Sequence, residues 1–242
     1  KLLINACEYQ TCDKYLRWGK KKYEKDIELF NIKLVNRKFF NKNYKNILII
    51  ARTTGHEVET YSRYEEYDFY NQCLVNLLSN IEDEKDGKII VRLKRTFKWT
   101  NPKEFKEIKK IFPKIIIDDG VNDIFSLQKK IKLAVYLYYS TGVLESLSLD
   151  VPTIFYFPKE LIYIEEEEQK FLNILHECKI VAYTKEELAE NFNFITKDLN
   201  KWWSSDLVRK SKEEFCSKYS IIPPKDPVLK ISKLLNFFAG NF

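Results

Sequence analysis

Short apolar runs alternate with longer stretches of mixed apolar and charged residues between Ile47 and Ala182. Ile47-Leu48-Ile49-Ile50-Ala51 has the length and β-branching of a strand buried on both faces. Residues 88–93, 115–117, 132–137, 153–157 and 179–182 read as further strands. Between them, helical spacing covers 64–81, 102–112, 123–130, a short helix through Val143, Leu144 and Leu147, and 160–178. Pro102 opens the second of these helices, where a missing N–H costs nothing. Thr184 reads as the cap of a helix over 185–191. Beyond it the chain reads as helical over 198–219, breaks at Pro223-Pro224 and ends in an amphipathic stretch over 228–238. Strands that alternate with helices in this way predict a parallel sheet covered on both faces, a Rossmann-like α/β fold. Residues 1–45 show no such rhythm and read as a connecting segment, with residues 46–242 as the sheet domain and its C-terminal helices.

Composition agrees with a globular chain that has a substantial core. Of its 242 residues 45% are hydrophobic, with 17 Phe, 15 Tyr and 4 Trp, while 6 Gly and 7 Pro are too few for a disordered or turn-built protein. The net charge of +6 comes from Lys and Arg mixed with 35 acidic residues along the whole length. That mixture suits solvated helix faces and some preference for anionic ligands, and argues against a dedicated nucleic-acid surface. Cys7, Cys12, Cys73, Cys178 and Cys216 are scattered and odd in number, the pattern of reduced cytoplasmic thiols rather than of a disulfide frame or zinc site. No run reaches the roughly 18 apolar residues of a membrane span. The chain contains no Met, even at its start, which leads us to expect that it is part of a longer protein.

In an open parallel sheet, ligands bind beyond the carboxyl ends of the strands. Those ends carry Arg52-Thr53-Thr54-Gly55-His56, Arg92-Leu93-Lys94-Arg95, Asp118-Asp119-Gly120 and Ser140-Thr141-Gly142. A strand, a small-residue turn and a helix N-terminus form an anion site, because unpaired N–H groups and the positive dipole end face one point. Ser140, Thr141 and Gly142 provide such a turn, and Arg52, Arg92 and Arg95 add cations suited to a phosphate. Glu145, a turn further on, is placed to accept hydrogen bonds from ribose hydroxyls. The same pattern also fits a plain helix cap with Glu145 in solvent. His56 is the weak candidate for a base, and His176 falls inside a helix. Asp118 and Asp119 suit a turn or cap as well as a cation; without a third ligand no metal site is expected. Trp202 and Trp203 read as cover for the sheet edge.

Tyr138-x-Ser140-Thr141-x-x-Leu144-Glu145-x-Leu147 with Pro152-Thr153 resembles the donor-binding half of GT-B glycosyltransferases. More narrowly, the chain is similar to a group of transferases from bacterial surface-polysaccharide loci. Asp13 with Trp18-Gly19, Arg92-Leu93 followed by Trp99, Trp202-Trp203 with Ser205, and Phe215 with Tyr219 also fit that group. The resemblance implies a metal-independent glycosyltransferase acting at the cytoplasmic side, with a nucleotide-activated sugar as donor, a glycan or lipid-linked acceptor and no cofactor. Ser140, Thr141 and Gly142 would then meet the donor phosphate and Glu145 the ribose. Sialyltransferase-like relatives carry His-Pro after an earlier strand where this chain reads Arg92-Leu93-Lys94-Arg95. A GT-B enzyme needs two Rossmann-like domains, and one is recognisable here. Transfer of a phosphopolyol from a CDP-linked donor, and a non-catalytic nucleotide- or protein-binding module, are the alternatives. The basic and apolar faces of residues 230–238 suit either a peripheral membrane contact or packing on the protein.

Overall fold

In the computed structural model the described residues are 7–37, 44–52, 64–81, 87–92, 102–118, 120, 123–160 and 164–239. His56, Arg95 and Asp119 lie outside them. The chain divides into two compact units, one of residues 1–38 with 213–242 and one of residues 39–212. The sequence reading instead groups the C-terminal helices with the sheet.

The larger unit holds a six-stranded sheet of β3 (Asn46–Ile50), β4 (Ile89–Arg92), β5 (Ile116–Asp118), β6 (Ile131–Tyr136), β7 (Thr153–Tyr156) and β8 (Val181–Ala182). Every pairing is parallel, and the spatial order is β5-β4-β3-β6-β7-β8. The sheet is therefore the expected α/β, Rossmann-like arrangement. The chain works outward in one direction from β3 to β5, then returns to β3's other side with β6, so the order reverses between β3 and β6. The central strands are mostly apolar because both of their faces are covered. Ile47, Leu48, Ile49, Leu133, Ala134, Val135 and Phe155 have no exposed surface. Burying one such Leu or Ile side chain stabilises the fold by about 1.5–3 kcal/mol.

Helices α2 (Tyr64–Asn80), α3 (Pro102–Ile111), α4 (Ile124–Gln128), α5 (Thr141–Ser148), α6 (Glu166–Glu177), α7 (Lys185–Thr196) and α8 (Leu199–Trp203) complete this unit. Helix α2 buries Tyr70, Cys73, Leu74, Leu77 and Leu78, the three-and-four spacing of one helix face. Asp123 caps α4 through Ser126 N–H at 3.2 Å, and Asp198 caps α8 through Lys201 N–H at 3.1 Å. The continuous helix expected over 198–219 is two. Helix α8 stops where Ser204 Oγ turns back to the Asn200 carbonyl at 2.7 Å, and α9 (Asp206–Tyr219) starts afresh. The helix expected from residue 160 begins at Glu166, with an acidic first turn that offsets the helix dipole.

In the smaller unit, α1 (Cys7–Thr11) precedes two three-residue parallel strands, β1 (Tyr15–Arg17) and β2 (Asp26–Glu28). The chain termini are knitted together there by Ile221 N–H to Trp18 O at 2.7 Å and Asn31 N–H to Ile221 O at 2.8 Å. A Cβ on Gly19 would lie 1.9 Å from the Lys218 carbonyl oxygen, so this close approach admits only glycine. Helix α10 (Pro227–Ala239) ends the unit.

Candidate functional site

The carboxyl edge of the sheet gathers Arg52 after β3, Arg92 and Asp118 at the ends of β4 and β5, and Tyr138 to Gly142 after β6. Arg52 and Tyr138 flank the point where strand order reverses, the place where open α/β sheets leave a crevice for ligands. The Arg52 guanidinium lies 5.1 Å from the centre of the Tyr70 ring, and that ring meets Tyr138 edge-on at 6.4 Å. Burial pushes the Tyr138 phenol above its usual range, and the nearby positive charges of Arg52 and Arg92 pull it back in part. Both arginines thus act on one tyrosine from positions forty residues apart in the chain.

Arg92 is held in place: its Nη1 pairs with Asp118 Oδ2 and its Nη2 donates to the Gly120 carbonyl at 3.4 Å. Asp118, 6% exposed, thus serves the arginine. Among the described residues no group of three His, Cys, Asp or Glu comes together as a metal would require.

The turn after β6 holds the remaining candidates. Ser140 occupies the N-cap position of α5 in an extended conformation, φ −146° and ψ 167°, and its carbonyl accepts Val143 N–H at 3.0 Å. Its side chain makes no capping hydrogen bond, and no acidic residue stands in the first turn. Serine at this place ordinarily turns its hydroxyl onto the N2 or N3 amide. Ser140 is half-buried, Thr141 exposed and Gly142 half-buried, so the turn is open to solvent. Glu145 is 5% exposed. It is not the solvated helix residue that a plain cap would give; burial pushes the Tyr136 phenol above its usual range, and the nearby Glu145 charge adds to that. A carboxylate withdrawn from water has to be paired or hydrogen-bonded.

Tyr136 escaped the sequence reading, along with Gln128 and Ser146. All three are buried, and Tyr136 Oη lies 2.8 Å from the Gly142 carbonyl oxygen and 2.6 Å from Ser146 Oγ. Each looks like an ordinary core or helix residue, and only the tertiary fold joins them. His176 pairs with Glu187 and stacks on Tyr183 at 4.5 Å, away from the reversal point at the β8 edge. Trp202 and Trp203 are buried, donating to the Cys178 carbonyl at 2.9 Å and to Asp150 at 3.0 Å. Neither offers a ring for stacking.

A family model described as LIC12162 family transferase matches residues 2–235. No curated protein matches. Among solved structures, the wall teichoic acid polymerase TagF is similar at 15% identity and TM-score 0.44, over 77% of this chain and 42% of that one. TarM is similar at 12% identity and TM-score 0.48, over 89% and 39%. WaaG, a glycosyltransferase involved in lipopolysaccharide biosynthesis, is similar at 13% identity and TM-score 0.40, over 72% and 47%. This chain thus spans less than half the length of each of these proteins.

Proposed function

Because the chain belongs to the LIC12162 family of transferases, we propose that its sheet unit binds the nucleotide end of an activated sugar, for transfer to a bacterial surface glycan or its lipid-linked precursor. One observation carries this reading. The first turn of α5 stands beside the reversal of strand order with no side-chain cap and no first-turn acid, and a carboxylate 5% exposed lies one turn behind it. Thr141 and Gly142 amides and the Ser140 and Thr141 hydroxyls would receive the phosphate. Glu145 would hold the ribose diol, its charge strengthening hydrogen bonds donated by two hydroxyls.

As the bond to the leaving diphosphate breaks, negative charge grows on its oxygens. Amides already aimed at that point, and Arg52 beside it, stabilise the charge without reorganising. This is the task a divalent cation performs in other sites, so the transfer proceeds without a metal. Arg92, balanced by Asp118, shapes the electrostatics of the crevice. Among the described residues there is one Rossmann-like sheet, and the acceptor would be brought to it by a second domain. Work at the inner face of a membrane suits a lipid-linked acceptor, and none of the described helices is long and apolar enough to cross one.

The test is isothermal titration with CDP, UDP, GDP and their sugars. Binding of one nucleotide, weakened at least about tenfold in Glu145→Ala, is expected from the charged hydrogen bonds removed. No binding at millimolar concentration, or unchanged binding in the variant, overturns the reading. With acceptor and full-length protein, a glycosidic rather than phosphodiester product and activity that survives EDTA are expected.

A further inference from the structure

The first turn of α5 is not held by its own cap, so something else must fix it. Three buried side chains from three elements do so. Gln128 on α4 reaches Ser146 Oγ at 2.6 Å and Tyr136 Oη at 3.2 Å through Nε2. Ser146 Oγ lies 2.6 Å from Tyr136 Oη, which lies 2.8 Å from the Gly142 carbonyl oxygen. Gln128, Tyr136 and Ser146 are 3%, 1% and 0% exposed.

The protons in this chain have one consistent arrangement. A carbonyl only accepts, so Tyr136 gives its single proton to Gly142. Ser146 must then donate to Tyr136 and receive from the Gln128 amide. The opposite Gln128 orientation would draw the Ser146 proton away and leave the Ser146–Tyr136 contact with none. Every donor thus points toward the first turn. Burial pushes the Tyr136 phenol far above its usual range, so it stays a donor at any working pH. The ring also excludes a side chain at residue 142: a Cβ there would lie 2.9 Å from Tyr136 Cε1 and 3.1 Å from its Oη.

We infer that Tyr136, supported by Ser146 and Gln128, is a positioning residue that clamps the α5 first turn from behind, so that the Thr141 and Gly142 amides stay aimed at a diphosphate in front. This rests on the nucleotide-binding reading of the same turn. A donor to the Gly142 carbonyl fixes the turn without occupying its first amides, as a cap would. Polar groups linked in this way inside a core are held rigidly, because any break leaves a partner unsatisfied.

The experiment compares wild type, Tyr136→Phe and Ser146→Ala. Ligand-observed NMR, which reads millimolar affinities, gives dissociation constants for UDP, CDP and GDP and for uridine, cytidine and guanosine. Tyr136→Phe keeps the ring against Gly142 and removes only the donor. The diphosphate is expected to bind about tenfold more weakly while the nucleoside is unchanged, and Ser146→Ala should show the same selective loss at two- to threefold. A purely structural role would weaken both ligands or neither. If Tyr136→Phe folds but keeps the wild-type ratio of diphosphate to nucleoside affinity, the clamp is overturned and nucleotide binding stands. Should Tyr136→Phe not fold, Ser146→Ala decides by the same ratio. Wild type that binds none of the three diphosphates overturns both proposals.

Discussion

Two strand-to-helix turns at the same edge of the sheet are built oppositely. After β8, Thr184 Oγ accepts Glu187 N–H at 3.1 Å and Glu187 Oε2 accepts Tyr183 N–H at 2.7 Å, a reciprocal pair that satisfies the turn internally. After β6, Ser140 stands in the same N-cap position but its hydroxyl caps nothing, and support comes from the buried Tyr136 instead. Glu187 lies three residues after its cap and is half-exposed, while Glu145 lies five residues after Ser140 and is buried. The β8 turn resembles a stability device. The β6 turn gives up that stabilisation and keeps its donors for a ligand. Lack of a side-chain cap alone does not mark such a site, because α6 also has none; there Glu166, Glu167 and Glu168 offset the dipole. The β6 turn has neither provision.

The largest effect is expected from Gly142→Ala. The added methyl would lie 2.9 Å from Cε1 of the buried, hydrogen-bonded Tyr136 ring, so ring or first turn must shift, at a cost of about 1–3 kcal/mol. Loss of nucleotide binding beyond detection in titration is expected, with a Tm lower by roughly 2–4 °C per kcal/mol lost. The next effect is a crossing. Ser140→Ala should lower nucleotide affinity about tenfold and leave Tm almost unchanged. Thr184→Ala should leave affinity unchanged and cost about 1 kcal/mol in chemical denaturation. If both variants moved stability alone, the contrast between the turns would be gone. The smallest is Glu187→Ala, expected to cost under about 1 kcal/mol through the lost capping partner and to leave nucleotide binding intact. Independently of any variant, hydrogen exchange should find Tyr183 and Glu187 amides protected and the Thr141 amide fast.

Much of this architecture is legible in the sequence, because its strands are local. Ile47 to Ile50 and Thr153 to Tyr156 are apolar runs whose length and β-branching already exclude an amphipathic helix. The turn at Ser140 to Gly142 is legible for the same reason, since small residues between a strand and a helix are adjacent in the chain. Boundaries fared worse. Helical periodicity runs through Ser204 and Ser205, so the break between α8 and α9 leaves no trace in the pattern. The pair of three-residue strands β1 and β2 is too short to show a period.

Within the site, what was missed is tertiary. Glu145 is a candidate from the sequence, but its burial is not legible there: α5 buries Val143, Glu145, Ser146, Leu147 and Ser148, leaving little outward face. Gln128, Tyr136 and Ser146 come from three elements and meet only after the sheet closes. Arg92 reads as a free cation until β5 brings Asp118 against it. His56 and Arg95 lie outside the described residues and keep the standing they have in the sequence.

Backbone amide NMR during a titration with UDP, CDP or GDP tests the central claim most directly. The account expects the Thr141 and Gly142 amide signals to move first and furthest as nucleotide is added, with those of Lys185 and Glu186 at the start of α7 staying in place. Shifts concentrated at α7, or a saturating nucleotide that leaves Thr141 and Gly142 unmoved, would contradict it.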